Sequence, residues 1–78
     1  MSDGKELKTT EGTVEEVLPN SLFRVRLPAE TEGEEGSLVL AYLAGKMRLH
    51  RIRVLLGDKV EMVLDPYGGR ARIVRRLT

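Results

Sequence analysis

Apolar residues recur at every second position in short runs from Gly12 onward, and turn residues separate the runs. The cleanest is "LFRVRL", where Phe23, Val25 and Leu27 fall on one side of an extended chain and Arg24 and Arg26 on the other. "KVEMVLDP" repeats the pattern with Val60, Met62 and Leu64 inward, and "LVLAYL" at 38–43 is an apolar run of strand length. "GTVEEVLP" breaks strict alternation between Val14 and Val17, which a bulge or a bend at Gly12 reconciles. "RARIVRRL" ends the series with Ala71 and Ile73 inward and Arg70 and Arg72 outward; Val74 departs from the period and its facing stays open. Pro19-Asn20 is a turn signal, and "PYGG" at 66–69 signals a tight hairpin.

One piece departs from period two. In "GKMRLHRIR", residues 45–53, Met47, Leu49 and Ile52 fit a short helix or helical turn. Leu49 and Ile52 are three apart and can share a buried face, with Lys46, His50 and Arg53 on an exposed one. Gly57-Asp58 ends that connection. Five strands with a short helix between the third and fourth is the order of an OB-fold barrel; an SH3-like barrel is the main rival. Closure matters, because an open meander would leave long unpaired edges. The expected organisation is all-β: a loosely ordered tail over 1–10, then one OB-fold domain over 11–78. Within it "PAETEGEEGS", 28–37, has only Ala29 apolar and reads as an exposed acidic loop.

Charge separates the two halves of a chain whose formal net charge is only +1. Residues 1–37 hold four basic and nine acidic side chains, a balance of −5, while 38–78 hold nine and three, a balance of +6. In the basic half Arg outnumbers Lys seven to two. A guanidinium donates two parallel hydrogen bonds to phosphate and stacks on bases, a preference that solubility alone does not require. Within 45–53 stand Lys46, Arg48, Arg51 and Arg53 with His50 and no carboxylate to pair them along a helix.

Enzymatic arrangements find little support. The single His sits among cations, a poor setting for a general base, and HExxH, GxxxxGK[ST] and GxSxG are absent. Glu15 and Glu16 are adjacent and point to opposite faces of a strand, wrong for paired-carboxylate catalysis. With no Cys there is neither disulfide nor thiolate zinc, so no cofactor or metal is expected. No apolar run approaches a membrane span, and the opening "MSDGKELKTT" lacks the apolar stretch of a secretory signal. A soluble cytoplasmic monomer is the expectation.

The cations lie on separate strands that barrel closure can gather. Arg24 and Arg26 on the second strand, Arg70 and Arg72 on the fifth, and the 45–53 segment would track a phosphate backbone. Tyr42 and Tyr67 border these elements, and a ring there can stack on a base; packing within the turn is the competing role for Tyr67. Arg75 and Arg76 read as a frayed basic end.

These residues resemble the bacterial translation initiation factor 1 family. The shared stretches are "EGTVEEVLPNSLFRVRL", "AGKMRLHRIRVLLGDKVEMVLDPY" and "RARIVRR", nearly the whole chain from Glu11 on. The resemblance implies a five-stranded OB-fold that binds small-subunit ribosomal RNA at the decoding A site, occludes tRNA and cooperates with the other two bacterial initiation factors. Lys46, Met47 and Arg48 match the family's "KMR" loop, which reaches into ribosomal RNA. Arg53 matches the Arg of "IR", Arg24 that of "FRV" and Arg72 that of "RIV", while Arg70 falls in a usually basic loop. The sequence departs from the family in its longer acidic loop, expected to point to solvent, and in the tight "YGGRA" turn. Arg51 stands where an aromatic residue is common. A cold-shock-type RNA chaperone is the alternative, although it wants more aromatics than one Phe and two Tyr. An adaptor for an acidic protein is a third reading.

Overall fold

In the computed structural model, which describes residues 9–29 and 31–78, the first strand is long enough to serve two neighbours. β1 (Thr9–Leu18) pairs through Thr9–Thr13 with β4 (Lys59–Val63) and through Thr13–Leu18 with β2 (Leu22–Arg26), antiparallel in both cases. Gly12 lies at the changeover. A Cβ there would stand 2.5 Å from Val25 Cγ1 and 2.9 Å from the Arg26 carbonyl oxygen, so only glycine lets the strand bend this closely over β2. The register slip falls between Val14 and Glu16, beyond the expected position at Gly12. Glu15 is the extra residue, and the slip keeps Val14 in the core while Val17 turns outward. The strand also takes in Thr9 and Thr10, assigned from sequence to the tail; the remainder of that expectation lies outside the described residues.

Asn20 (φ 66°) and Ser21 (φ 61°) both adopt left-handed backbone and turn the chain from β1 into β2, with Leu18 opposite Leu22. β2 then pairs antiparallel with β3 (Leu38–Leu43). The acidic loop between them is closed at its neck. The Leu27 amide donates to the Ser37 carbonyl at 2.8 Å, and the Arg26 guanidinium donates to the Gly36 carbonyl at 2.9 Å. Gly36 sits so tightly on the Leu27 carbonyl that any side chain would collide with it. Thr31 to Glu35 are exposed.

β3 runs into α1 (Gly45–Leu49) and lies parallel to β5 (Ala71–Arg76), which pairs antiparallel with β4. The order β1-β2-β3-β5-β4 closes on itself as an OB-fold barrel. Each strand lines the interior: Val14, Phe23 and Val25, Ala41, Val60 and Met62, Ala71 and Ile73 are all buried. Met47 and Val54 complete this core.

Four local expectations are corrected. Leu64 lies past the end of β4 and is exposed, because the chain has already left the sheet. The β4–β5 connection spans Leu64 to Arg70, longer than a tight hairpin; Asp65 organises it by accepting from the amides of Tyr67 and Gly69, each at 3.0 Å. Arg75 and Arg76 belong to β5 and are no frayed end. In α1 the buried side chain is Met47, whereas Leu49 is 76% exposed and Ile52 also reaches the surface.

Candidate nucleic-acid interface

The α1 segment is a single helical turn fastened at both ends. Ala44 is extended, and its carbonyl accepts from the amides of Met47 (3.0 Å) and Arg48 (3.2 Å); its own amide donates to Ile73 of β5 at 2.8 Å. At the other end the Ile52 amide reaches the Met47 carbonyl (2.9 Å) and the Arg51 amide the Arg48 carbonyl (3.1 Å). This bond pair is a Schellman motif, with Arg51 at φ 56° in the position glycine usually holds. Met47, 1% exposed, is the anchor that packs the turn into the barrel. Lys46, Arg48, His50, Arg51 and Arg53 are left exposed around it. Lys46 and His50, with Ile52, Val74 and Arg76, wall a groove of about 490 Å³.

A second surface is the outer face of β2, β3 and β5. Register sets Leu22 opposite Tyr42 and Tyr42 opposite Arg72, with Arg24 opposite Leu40 one outward position away. Tyr42 therefore stands mid-sheet between Arg24 and Arg72. Arg70 and Tyr67 lie on the adjoining β4–β5 connection, where Tyr67 is 93% exposed and its ring does not pack into the turn.

Ion pairing sorts the cations. Arg24 donates to Glu16 at 2.8 Å. Arg26 grips Glu15 with two bonds of 3.0 Å and has Glu35 at 3.6 Å. The hydrogen bond from Arg26 holds the Glu15 carboxyl below the usual carboxylate range and raises Arg26 beyond its already high value. Arg75 pairs with Glu61 at 3.3 Å. Among the described residues, no carboxylate lies within ion-pair distance of Lys46, Arg48, Arg51, Arg53, Arg70, Arg72 or Arg76. Arg76 donates instead to the Arg53 carbonyl at 2.8 Å, fixing the backbone that carries Arg53. Unpaired charge is thus concentrated on the α1 turn, on β5 and beside it, while the acidic loop leaves the opposite end of β3 from α1.

The family model described as Translation initiation factor 1A / IF-1 matches residues 1–78. The chain belongs to this initiation factor family. The solution structure of a translation initiation factor 1 from the Wolbachia endosymbiont strain TRS of Brugia malayi is similar, with TM-score 0.72 and 32% identity over 95% of this chain and 82% of that one. The crystal structure of YjeQ from Thermotoga maritima is similar in one part, with TM-score 0.68 and 25% identity over 91% of this chain and 23% of that protein.

In this initiation factor the residues expected at the site divide into three groups. Lys46, Arg48, His50, Arg51 and Arg53 come together around α1, and Tyr67, Arg70 and Arg72 around the β4–β5 connection. Arg24 lies on the outer sheet but is held by Glu16. Met47, expected at the site with its two neighbours, is 1% exposed and lies at the floor of the groove that Lys46 and His50 wall. Arg53 also does not share a helix face with Lys46 and His50, because the left-handed Arg51 ends the helix first. Tyr42 was visible in sequence as a neighbour of basic elements, and its place at the centre of the outer face comes from register alone. Among the described residues, no group of three His, Asp or Glu is placed to hold a metal ion, and no helix is long and apolar enough to cross a membrane.

Proposed function

We propose that this initiation factor binds ribosomal RNA of the small subunit at the decoding A site, occupies space an incoming tRNA needs, and assists the other two bacterial initiation factors in assembling the initiation complex in the cytoplasm. The observation that carries the reading is the α1 turn. Five exposed basic side chains, Lys46, Arg48, His50, Arg51 and Arg53, radiate from a core-anchored loop, and among the described residues no carboxylate lies within ion-pair distance to compete with phosphate.

The mechanism requires no bond making. Cations of the turn displace counterions from the RNA backbone, Arg70, Arg72 and Tyr67 extend the contact, and the bulk of the barrel excludes tRNA. The acidic loop leaves the other end of β3, and its exposed Glu32, Glu34 and Glu35 point to solvent, where they do not meet phosphate. The reading needs one copy of the barrel, and the protein acts as a monomer.

Chemical footprinting of the small subunit tests location and residues together. Protection at the decoding site is expected with the intact protein and is lost in Lys46→Ala/Arg48→Ala. Six phosphate contacts would give a slope of log affinity on log salt of about −4 to −5. A slope near zero, or equal affinity for arbitrary single strands and for the subunit, overturns the proposal.

A further inference from the structure

We infer that the outer face where β3 meets β5 is a subsite for one unpaired ribonucleotide, its base stacked on Tyr42, its phosphate held by Arg70 and Arg72, and guanine favoured by Asp65. The inference rests on the reading of this chain as an RNA-binding protein and adds to it a position and a base preference.

Alternation along β3 turns Ala41 inward and Tyr42 outward, leaving the ring 37% exposed. Leu22 and Arg72 flank it in register on the neighbouring strands. Between the ring and the β4–β5 connection lies a hollow of about 200 Å³. Val63, Leu64 and Pro66 form its apolar wall, and Arg70, Arg72 and Asp65 border it. An aromatic ring beside an apolar wall accepts a base by its face, and two arginines with no ion-pair partner among the described residues accept a phosphate. The chain leads from Tyr42 through Ala44 directly into α1, so the hollow adjoins the surface proposed to grip ribosomal RNA.

Asp65 gives the subsite a preference. Its two carboxylate oxygens each accept one backbone amide, from Tyr67 and from Gly69 at 3.0 Å, and this fixes the plane of the group. Any side chain at residue 69 would strike the carboxylate, so Gly69 is what permits the arrangement. Each oxygen retains a free lone pair. Guanine presents two adjacent donors on its Watson–Crick edge, N1–H and the N2 amino group, which match a carboxylate. Adenine and cytosine set a ring acceptor next to their amino donor, and uracil flanks its one donor with two carbonyls, so each of these meets repulsion.

The test is an NMR titration of the isotope-labelled protein with the RNA pentamers UUGUU and UUAUU. Amide shifts are expected at Leu40, Tyr42 and Arg72, with UUGUU bound several-fold more tightly. Tyr42→Ala is expected to weaken UUGUU binding roughly 5- to 150-fold. Tyr42→Leu keeps the apolar contact without the π face and is expected to lose most of the same affinity, which guards against an effect of misfolding. Asp65→Asn is expected to abolish the preference between the two pentamers. Shifts confined to 46–53, or equal affinity of the Tyr42 variants and the parent, overturn the subsite; an unchanged preference in Asp65→Asn overturns the role of Asp65. If footprinting fails while the Tyr42-centred shifts persist, the ribosomal reading falls and the subsite stands. If footprinting succeeds without those shifts, the subsite alone falls.

Discussion

The Ile52 amide donates to the Met47 carbonyl at 2.9 Å, and closing that ring puts Arg51 between them into left-handed backbone at φ 56°. A side chain in this region costs about 1–2 kcal/mol, because Cβ crowds the following carbonyl oxygen; glycine avoids the crowding. Strain of this kind persists where surrounding bonds enforce it, and the side chain it carries is the reason to look for a role. Arg51→Gly is therefore expected to raise unfolding stability by about 1 kcal/mol, or roughly 4–8 °C in Tm for a domain of this size. The same variant is expected to bind the small subunit less tightly, with a salt slope shallower by about 0.7–0.9. Thermal melts and salt-dependent titrations read both effects, and unchanged binding removes Arg51 from the interface.

Met47 acts on the interface from inside the barrel. Met47→Ala leaves a cavity and is expected to cost about 2–5 kcal/mol, measured by denaturant unfolding. Met47→Leu conserves volume and is expected to cost under about 1.5 kcal/mol while keeping subunit affinity. A Leu variant of normal stability that binds poorly would mean that Met47 touches RNA, against its burial.

Much of the fold is legible in the sequence because period-two runs such as "LFRVR" and "KVEMV" bury alternate residues without ambiguity. Legibility fails where a local irregularity shifts the period. The slip at Glu15 hides Val17's outward facing, and Leu64 continues the alternation after the strand has ended. In α1 a single turn is too short for periodicity to choose between Met47 and the Leu49–Ile52 pair; docking against the barrel decides. The cations of the site are equally plain in the sequence, but their availability is not. That Arg24 is held by Glu16 while Arg72 has no ion-pair partner among the described residues depends on cross-strand register, a long-range property.

Glu15 and Arg26 couple the acidic loop to pH. The Glu15 carboxyl is held below the usual carboxylate range by its hydrogen bond from Arg26. A depressed folded value means that the pair's contribution is present above the ordinary Glu range and disappears as pH falls through the folded value. Both side chains meet solvent, so the effect is small and screened by salt. In an NMR titration the Glu15 carboxyl carbon and the Arg26 Nε–H are expected to share one midpoint below that of an ordinary Glu. Arg26→Gln is expected to return Glu15 to the ordinary range and to loosen the neck at Gly36 and Ser37. A midpoint at or above the ordinary value contradicts the pairing.

Glu16 restrains a cation on the outer sheet. The Arg24–Glu16 bond is 2.8 Å long, with side chains 47% and 50% exposed, so breaking it sacrifices at most about 1 kcal/mol of stability. Glu16→Gln keeps the shape and releases the guanidinium toward a phosphate backbone. Subunit affinity is expected to rise several-fold at low salt, with a slope steeper by about 0.7–0.9 as one more phosphate is neutralised. Comparing Glu16→Gln with Glu16→Gln/Arg24→Ala separates the two routes by which the charge can act. If removing Arg24 cancels the gain, Arg24 makes the new contact; if the gain survives, Glu16 acts through its field alone. Unchanged affinity in the single variant places Arg24 outside the RNA path and confines binding to α1 and β5.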